Sequence, residues 1–317
     1  MPECFSRRRT YWCGRSKHLN KNNFRRLARI LIPALAVTVL LGLAAKHQTS
    51  PSPFAALAVP APSASAAPAP VCVPILLYHS VLSDSARAGD YVVSPAVFRA
   101  DMDYLRSHGY TAVFLSQLYA YETAGTPLPE KPVVITLDDG YLNNLTNVLP
   151  ILRETDMKAV ISVVGEFVQR CTDNGDRTAD YAYLTWNDIR SLSDFGLVEI
   201  GSHTWGMHGI SEGRRGCTQM AGESDGAYRL ALTTDLSRLQ MALRHNAGVT
   251  PTVFAYPYGF VSGGALPVLK SLGFTAALTC EKRLNYLTGN PEELYNLGRF
   301  NRPSGISTED FMRCLTP

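Results

Sequence analysis

The chain has 317 residues, 46% of them apolar and 18% charged, with a formal net charge of +3; that is room for one large domain with a real core plus appendages. The positive charge is concentrated at one end. Residues 1–50 hold ten Lys/Arg against Glu3 alone, whereas residues 51–317 hold twenty Lys/Arg against twenty-six Asp/Glu, so the folding part is mildly acidic and a nucleic-acid role has no electrostatic support.

In chain order, residues 1–29 form a basic segment that includes Arg7–Arg9, Arg25 and Arg26. The charge-free run "ILIPALAVTVLLGLAA" (residues 30–45) follows. It is somewhat short for a spanning helix of about 20 residues and somewhat long for a signal-peptide core. Flanking Arg29 and Lys46 can snorkel, while Gly42 and Ala44 would permit cleavage. The run is expected to be a membrane anchor or a signal core, with residues 1–29 cytoplasmic and the rest extracytoplasmic, anchored or secreted. Residues 46–70 contain "PSPFAALAVPAPSASAAPAP", whose Ala, Pro and Ser cannot bury enough apolar surface to order it; an extended linker is expected. The folded domain is placed at residues 71–317. Cys72, Cys171, Cys217, Cys280 and Cys314 then lie where disulfides are permitted, and no C-x-x-C spacing suggests a cysteine zinc site. Cys171 and Cys217, both in polar Gly-rich stretches, are the expected pair.

From residue 71 onward, β-branched runs alternate with helical patterns. Strands are predicted at residues 73–79, 133–137, 159–165, 197–203, 252–256 and 275–279, each reading as buried on both faces. Helices are predicted at residues 95–108, 142–155, 186–195, 228–246 and 264–272, several ending in Gly. Strand–helix repetition implies parallel strands with crossovers; six or seven units favour a barrel or partial barrel over an open sheet. No G-x-G-x-x-G or phosphate-loop pattern appears, so nucleotide chemistry is unsupported. "RCTDNGDRTADYAY" (170–183) and "GISEGRRGCTQMAGESDG" (209–226) read as polar insertions, either substrate-gating loops or surface decoration.

Function in such folds lies at the C-terminal strand ends, where His79, Asp138, Asp139, His203 and residues 256–259 all fall. Side chains alternate along a strand, so adjacent Asp138 and Asp139 can converge only where the strand turns, and Gly140 supplies that freedom. A DDG sequence is also ordinary turn chemistry. His203 and His208, five apart, would stand about 140° apart on a helix of about 3.6 residues per turn, which excludes a helical ligand pair. They can still converge through a loop pivoting at Gly206, and two imidazoles plus a carboxylate make a three-ligand set with open positions. "FAYPYGF" (254–260) ends another strand with aromatic residues able to stack on sugar.

"TLDDG", "SHTWGMH" and "FAYPYG", in this order and spacing, resemble the polysaccharide deacetylases with NodB homology (carbohydrate esterase family 4). The opening "VPILLYHSV" is similar to the start of many members, and the resemblance spans roughly residues 73–300. It implies an α/β fold, a distorted (β/α) barrel with fewer than eight strands. It further implies a divalent metal, zinc being the expected ion, held by Asp139, His203 and His208, with Asp138 as general base. The backbone N–H of Tyr141 would help hold the oxyanion, and Tyr256, Pro257, Tyr258 and Gly259 would contact substrate. Three departures stand out. The five-residue His spacing is similar to the branch acting on poly-β-1,6-N-acetylglucosamine. Ala255 stands where members often carry an arginine that orients the base, and Arg299 could substitute from another strand. No histidine follows His245, so the late catalytic-acid histidine is missing, and His79 is the candidate replacement; otherwise a ligand histidine serves, or no dedicated acid exists. The implied activity is metal-dependent removal of N-acetyl groups from an N-acetylglucosamine-containing extracytoplasmic polysaccharide, by a monomer, without nucleic acid. The alternatives are an O-acetyl polysaccharide esterase and a catalytically quiet carbohydrate-binding envelope protein.

Overall fold

The computed structural model describes residues 69–210 and 213–316. The basic segment, the apolar run and nearly all of the linker lie outside the described residues. Among the described residues the strands are Val71–Val73 (β1), Ile75–Tyr78 (β2), Ser80–Val81 (β3), Val92–Val93 (β4), Thr111–Ala112 (β5), Pro132–Leu137 (β6), Ala159–Val163 (β7), Val198–Ser202 (β8), Val253–Ala255 (β9), Ala276–Leu278 (β10), Asn285–Leu287 (β11) and Phe300–Asn301 (β12). The α-helices are Pro95–Ser107 (α1), Leu115–Ala124 (α2), Leu149–Thr155 (α3), Gly165–Asn174 (α4), Trp186–Asp194 (α5), Asp225–Ala247 (α6), Ala265–Ser271 (α7) and Thr308–Met312 (α8).

Seven strands form a curled parallel sheet in the order β10-β9-β8-β7-β6-β2-β12, with β5 added beside the start of β6. The expected distorted barrel of fewer than eight strands is what the chain builds. Alternation explains the unbroken apolar runs. On β6, Val133, Ile135 and Leu137 pack under the outer helices, while Val134 joins Ile75, Val160 and Leu278 in the barrel interior. A strand covered on both faces reads as a nearly continuous apolar run. Glu199 on β8 is the charged exception; it is partly buried, and its carboxylate accepts the backbone N–H groups of Leu115 (2.9 Å) and Ser116 (3.3 Å) at the start of α2.

The segment that ends in β12 draws the sheet's edges together. Leu297 bridges in parallel to Leu278 on β10, and three residues later Phe300 pairs with Leu76 on β2. Arg299 lies between these contacts and is fully buried.

Local chemistry sets most boundaries. Ser94 caps α1 ahead of Pro95, and Thr185 with Asp188 forms a reciprocal cap on α5. The single helix expected over residues 142–155 is divided: Asn144–Val148 is a π-turn, in which Leu149 N–H bonds Asn144 O, and α3 follows. Pro150 lacks the N–H that a continuous α-helix would need there. The helices α2 and α4 were not anticipated; α4 takes up the start of the supposed insertion at 170–183.

The expected Cys171–Cys217 disulfide is not formed. All five described cysteines are free, and these two occupy different apolar clusters, Cys171 with Leu142 and Ala182, Cys217 with Tyr228 and Tyr256. The segment 213–226 is not loose decoration either: Gly216 packs on Pro257, and the Arg215 guanidinium sits 4.2 Å from the Phe260 ring centre.

Candidate active site

At the end of β6 the backbone turns through two consecutive left-handed residues, Asp139 (φ 71°) and Gly140 (φ 73°). A Cβ on Gly140 would lie 2.8 Å from Val163 Cγ1, so the turn also needs a bare backbone. This reversal is what lets neighbouring carboxylates serve one site.

Asp138 turns inward beneath the mouth. Arg299 donates to both of its oxygens, Nη1 to Oδ1 at 2.9 Å and Nη2 to Oδ2 at 2.8 Å. The guanidinium is itself fixed by Nε donating to Thr279 O at 2.8 Å. Burial alone would raise the Asp138 carboxyl, but Arg299 and then His203 outweigh it and hold the group well below the usual carboxylate range. Arg299 lies forty-four residues beyond Ala255 and is brought across to Asp138 by the edge-closing segment.

Asp139, His203 and His208 form a cluster whose nearest ligand atoms all lie within 4.8 Å of one another. His208 Nε2 is 3.2 Å and His203 Nε2 is 3.7 Å from Asp139 Oδ1. His203 Nδ1 lies 2.8 Å from Ala255 O, a contact that assigns its proton to Nδ1 and leaves the Nε2 lone pair facing Asp139. Burial lowers the His203 pKa, opposed by the Asp138 charge, so its neutral form is favoured. One carboxylate and two imidazoles with converging lone pairs fit a divalent cation of the zinc type.

His79, at the end of β2, has a buried Nδ1 without a partner among the described residues and meets Tyr91 edge to face at 4.8 Å. Burial lowers its pKa, and the Asp138 and Asp139 charges oppose that. Its backbone is pinned by the π-turn: Asn144 Nδ2 donates to His79 O at 2.9 Å, and Asn143 Oδ1 accepts Val81 N–H at 2.9 Å. These asparagines in "YLNN" read as helix in the sequence, and only the turn shows what they hold.

The proposed substrate residues divide. Tyr141 stacks on Tyr183 at 4.9 Å, and Phe167 joins them at 4.5 Å, forming a wall beside Asp139 that reaches His208 edge to face at 5.7 Å. No protein acceptor takes the Tyr141 N–H among the described residues. Tyr258, 43% exposed, faces His208 at 5.1 Å and forms the opposite wall with Phe260. Tyr256 and Pro257 are corrections: both are buried, Tyr256 against Phe254 and α6, so neither ring is offered to a ligand. Gly259 packs against Cys280 N, where an added Cβ would come within 2.5 Å. Phe167 and Tyr183 were missed because nothing in their spacing links them to the Asp and His motifs.

A curled parallel α/β barrel with a carboxylate–imidazole cluster at its mouth, backed by an arginine-paired aspartate, defines the class as a barrel protein with a hydrolase-type candidate metal centre. Residues 125–277 match the family model "Polysaccharide deacetylase". The chain is 34% identical over 252 residues to the poly-β-1,6-N-acetyl-D-glucosamine N-deacetylase of Escherichia coli (strain K12), an alignment covering 74% of this chain and 37% of that protein. It is 25% identical over 214 residues to the protein of the same name from Staphylococcus aureus (strain MRSA252), covering 67% of this chain and 69% of that one. The fold is shared with IcaB from Ammonifex degensii (TM-score 0.63, 24% identity, 77% of this chain and 97% of that one) and with the Streptococcus pyogenes deacetylase PplD (TM-score 0.63, 22% identity, 78% and 100%). The chain carries a domain of the polysaccharide deacetylase family. It spans well under half the length of the Escherichia coli relative.

Proposed function

We propose that the protein is a metal-dependent hydrolase that removes N-acetyl groups from N-acetylglucosamine units of an extracytoplasmic polysaccharide, zinc being the expected ion. The observation that carries this reading is the convergence of Asp139, His203 and His208 beside an Asp138 that Arg299 holds ionised and oriented. The relatives' names point to a β-1,6-linked polymer. The basic and apolar N-terminal sequence supports anchoring at, or export across, a membrane.

Asp139, His203 and His208 would hold the cation, which supplies Lewis acidity toward the acetamide carbonyl and toward water. Asp138 accepts the proton of the attacking water; its fixed carboxylate is already ionised and needs no rearrangement. The Tyr141 N–H, which no protein acceptor takes among the described residues, would donate to the oxygen that gains negative charge. The walls at Tyr141–Tyr183–Phe167 and Tyr258–Phe260 would stack on the sugar and orient its acetamide between them. His79 is the residue assigned to protonate the leaving amine.

The test is zinc content and acetate release from β-1,6- and β-1,4-linked N-acetylglucosamine oligomers by the full-length chain, with O-acetylated oligosaccharides alongside. Asp139→Asn should lose zinc, and Asp138→Asn should keep zinc while acetate release drops at least about 10²-fold. A wild type that binds zinc but releases acetate from none of these oligomers would reject the hydrolase reading in favour of a carbohydrate-binding role.

A further inference from the structure

The loop between His203 and His208 is held by partners from outside itself. Thr204, with φ 73°, swings the chain off β8. Trp205 then turns into the protein and is only 9% exposed. The Arg238 guanidinium lies 4.0 Å from its ring centre and Trp186 stacks at 6.3 Å. Gly165 is the floor of this pocket, since a Cβ there would come within 2.5 Å of Trp205 Cε3. The backbone groups of the turn are satisfied from two sides. Gly165 N–H donates to Thr204 O at 3.0 Å and Glu166 N–H to Trp205 O at 2.8 Å. From the other side, Asp235 on α6 accepts the two adjacent amides, Trp205 N–H on Oδ1 at 2.7 Å and Gly206 N–H on Oδ2 at 2.8 Å.

We propose that Asp235 is a positioning residue for the candidate metal centre: its carboxylate clamps the Trp205–Gly206 amides and so fixes where His208 points. The inference rests on the reading that His208 is a metal ligand. Two parallel N–H donors call for an acceptor with two oxygens at a fixed separation, which a carboxylate provides. The chain leaves the clamp at Gly206 and reaches His208 two residues later, so little freedom remains between the clamp and the imidazole. The five-residue spacing, too long for one helical face, becomes a preorganised pair because Trp205 and Asp235 take up the extra length. An amide at position 235 keeps the size but sets an NH2 group against a backbone N–H, losing one bond and opposing two donors.

The experiment is zinc affinity of the metal-stripped full-length chain, measured by competition with a chromophoric chelator, together with the visible absorption of bound Co2+. Asp235→Asn is expected to weaken zinc about 10- to 100-fold, the usual range when a residue that orients a ligand is lost, and to alter the Co2+ bands. Asp235→Glu, which keeps two acceptor oxygens but moves them one methylene out of place, should fall between wild type and Asn, and it decides the matter if the Asn variant does not fold. Arg238→Ala, which removes packing from the same Trp205 ring, should lower Tm while leaving zinc affinity within about twofold of wild type. Wild-type zinc affinity and Co2+ bands in the Asp235 variants would overturn the proposal. So would an equal loss in Arg238→Ala, which would reduce Asp235 to general support of the loop. A wild type that binds no zinc would instead reject the metal reading on which the proposal stands.

Discussion

At Asp138 the two functions asked of one carboxylate, being buried and staying ionised, are reconciled by a single partner. Arg299 offers a planar fork matched to both oxygens, a geometry that a lysine cannot reproduce. Arg299→Lys should therefore keep most of the charge balance yet let the base drift, and acetate release should fall about 10²-fold with zinc content unchanged. Arg299→Ala leaves a buried carboxylate alone, and unfolding in urea should show a loss of roughly 3–5 kcal/mol. A Lys variant with wild-type kcat would show that orientation of Asp138 does not limit the reaction. The sequence raised Arg299 only as a possible substitute, because "LGRFNRP" carries no mark of the strand it reaches.

Among the elements, the β6–π-turn junction concentrates the local constraints. Its left-handed Asp139–Gly140 pair aims the carboxylates, and its asparagines fasten the His79–Val81 segment of the neighbouring strand end. Gly140→Ala combines a positive φ with a Cβ 2.8 Å from Val163, on a strand that has no room to retreat. It is expected to cost on the order of 1–3 kcal/mol and to reduce metal affinity as Asp139 shifts; differential scanning calorimetry and zinc titration would read both, and an unchanged Tm would contradict the packing argument. DDG was legible in the sequence as a turn. That the turn must be glycine because of Val163 on another strand was not.

For the whole molecule, stability should depend on pH through groups buried at the barrel mouth. His79 and His203 are both lowered from the usual imidazole value by burial, so below about pH 6.5 the unfolded chain binds protons that the native protein resists. Their contribution is complete above about pH 6.5 and is lost as pH falls through the folded values. Asp138, also lowered, adds a second loss on further acidification below about pH 4, because the unfolded carboxyl then takes up a proton that Arg299 disfavours. Tm of the metal-stripped chain should accordingly decline on acidification in two stages, and His203→Gln should shrink the first. Parallel Tm–pH curves for wild type and variant would sink this account.

By itself the sequence determined what local chemistry determines. The β-branched runs and Gly stops gave a parallel strand–helix alternation, which placed His79, Asp138, Asp139 and His203 at strand ends and His208 in the loop that follows, because period and turn chemistry act over a few residues. Only the tertiary structure decided which groups meet across long separations. Closure of the sheet by residues 297–301 delivers Arg299 to Asp138, docking of α6 brings Asp235 to the His loop, and packing against α6 hides Tyr256 while leaving Tyr258 at the mouth. Each of these depends on the curl of the sheet and on shape fit between distant elements, which leave no periodic trace in the order of residues.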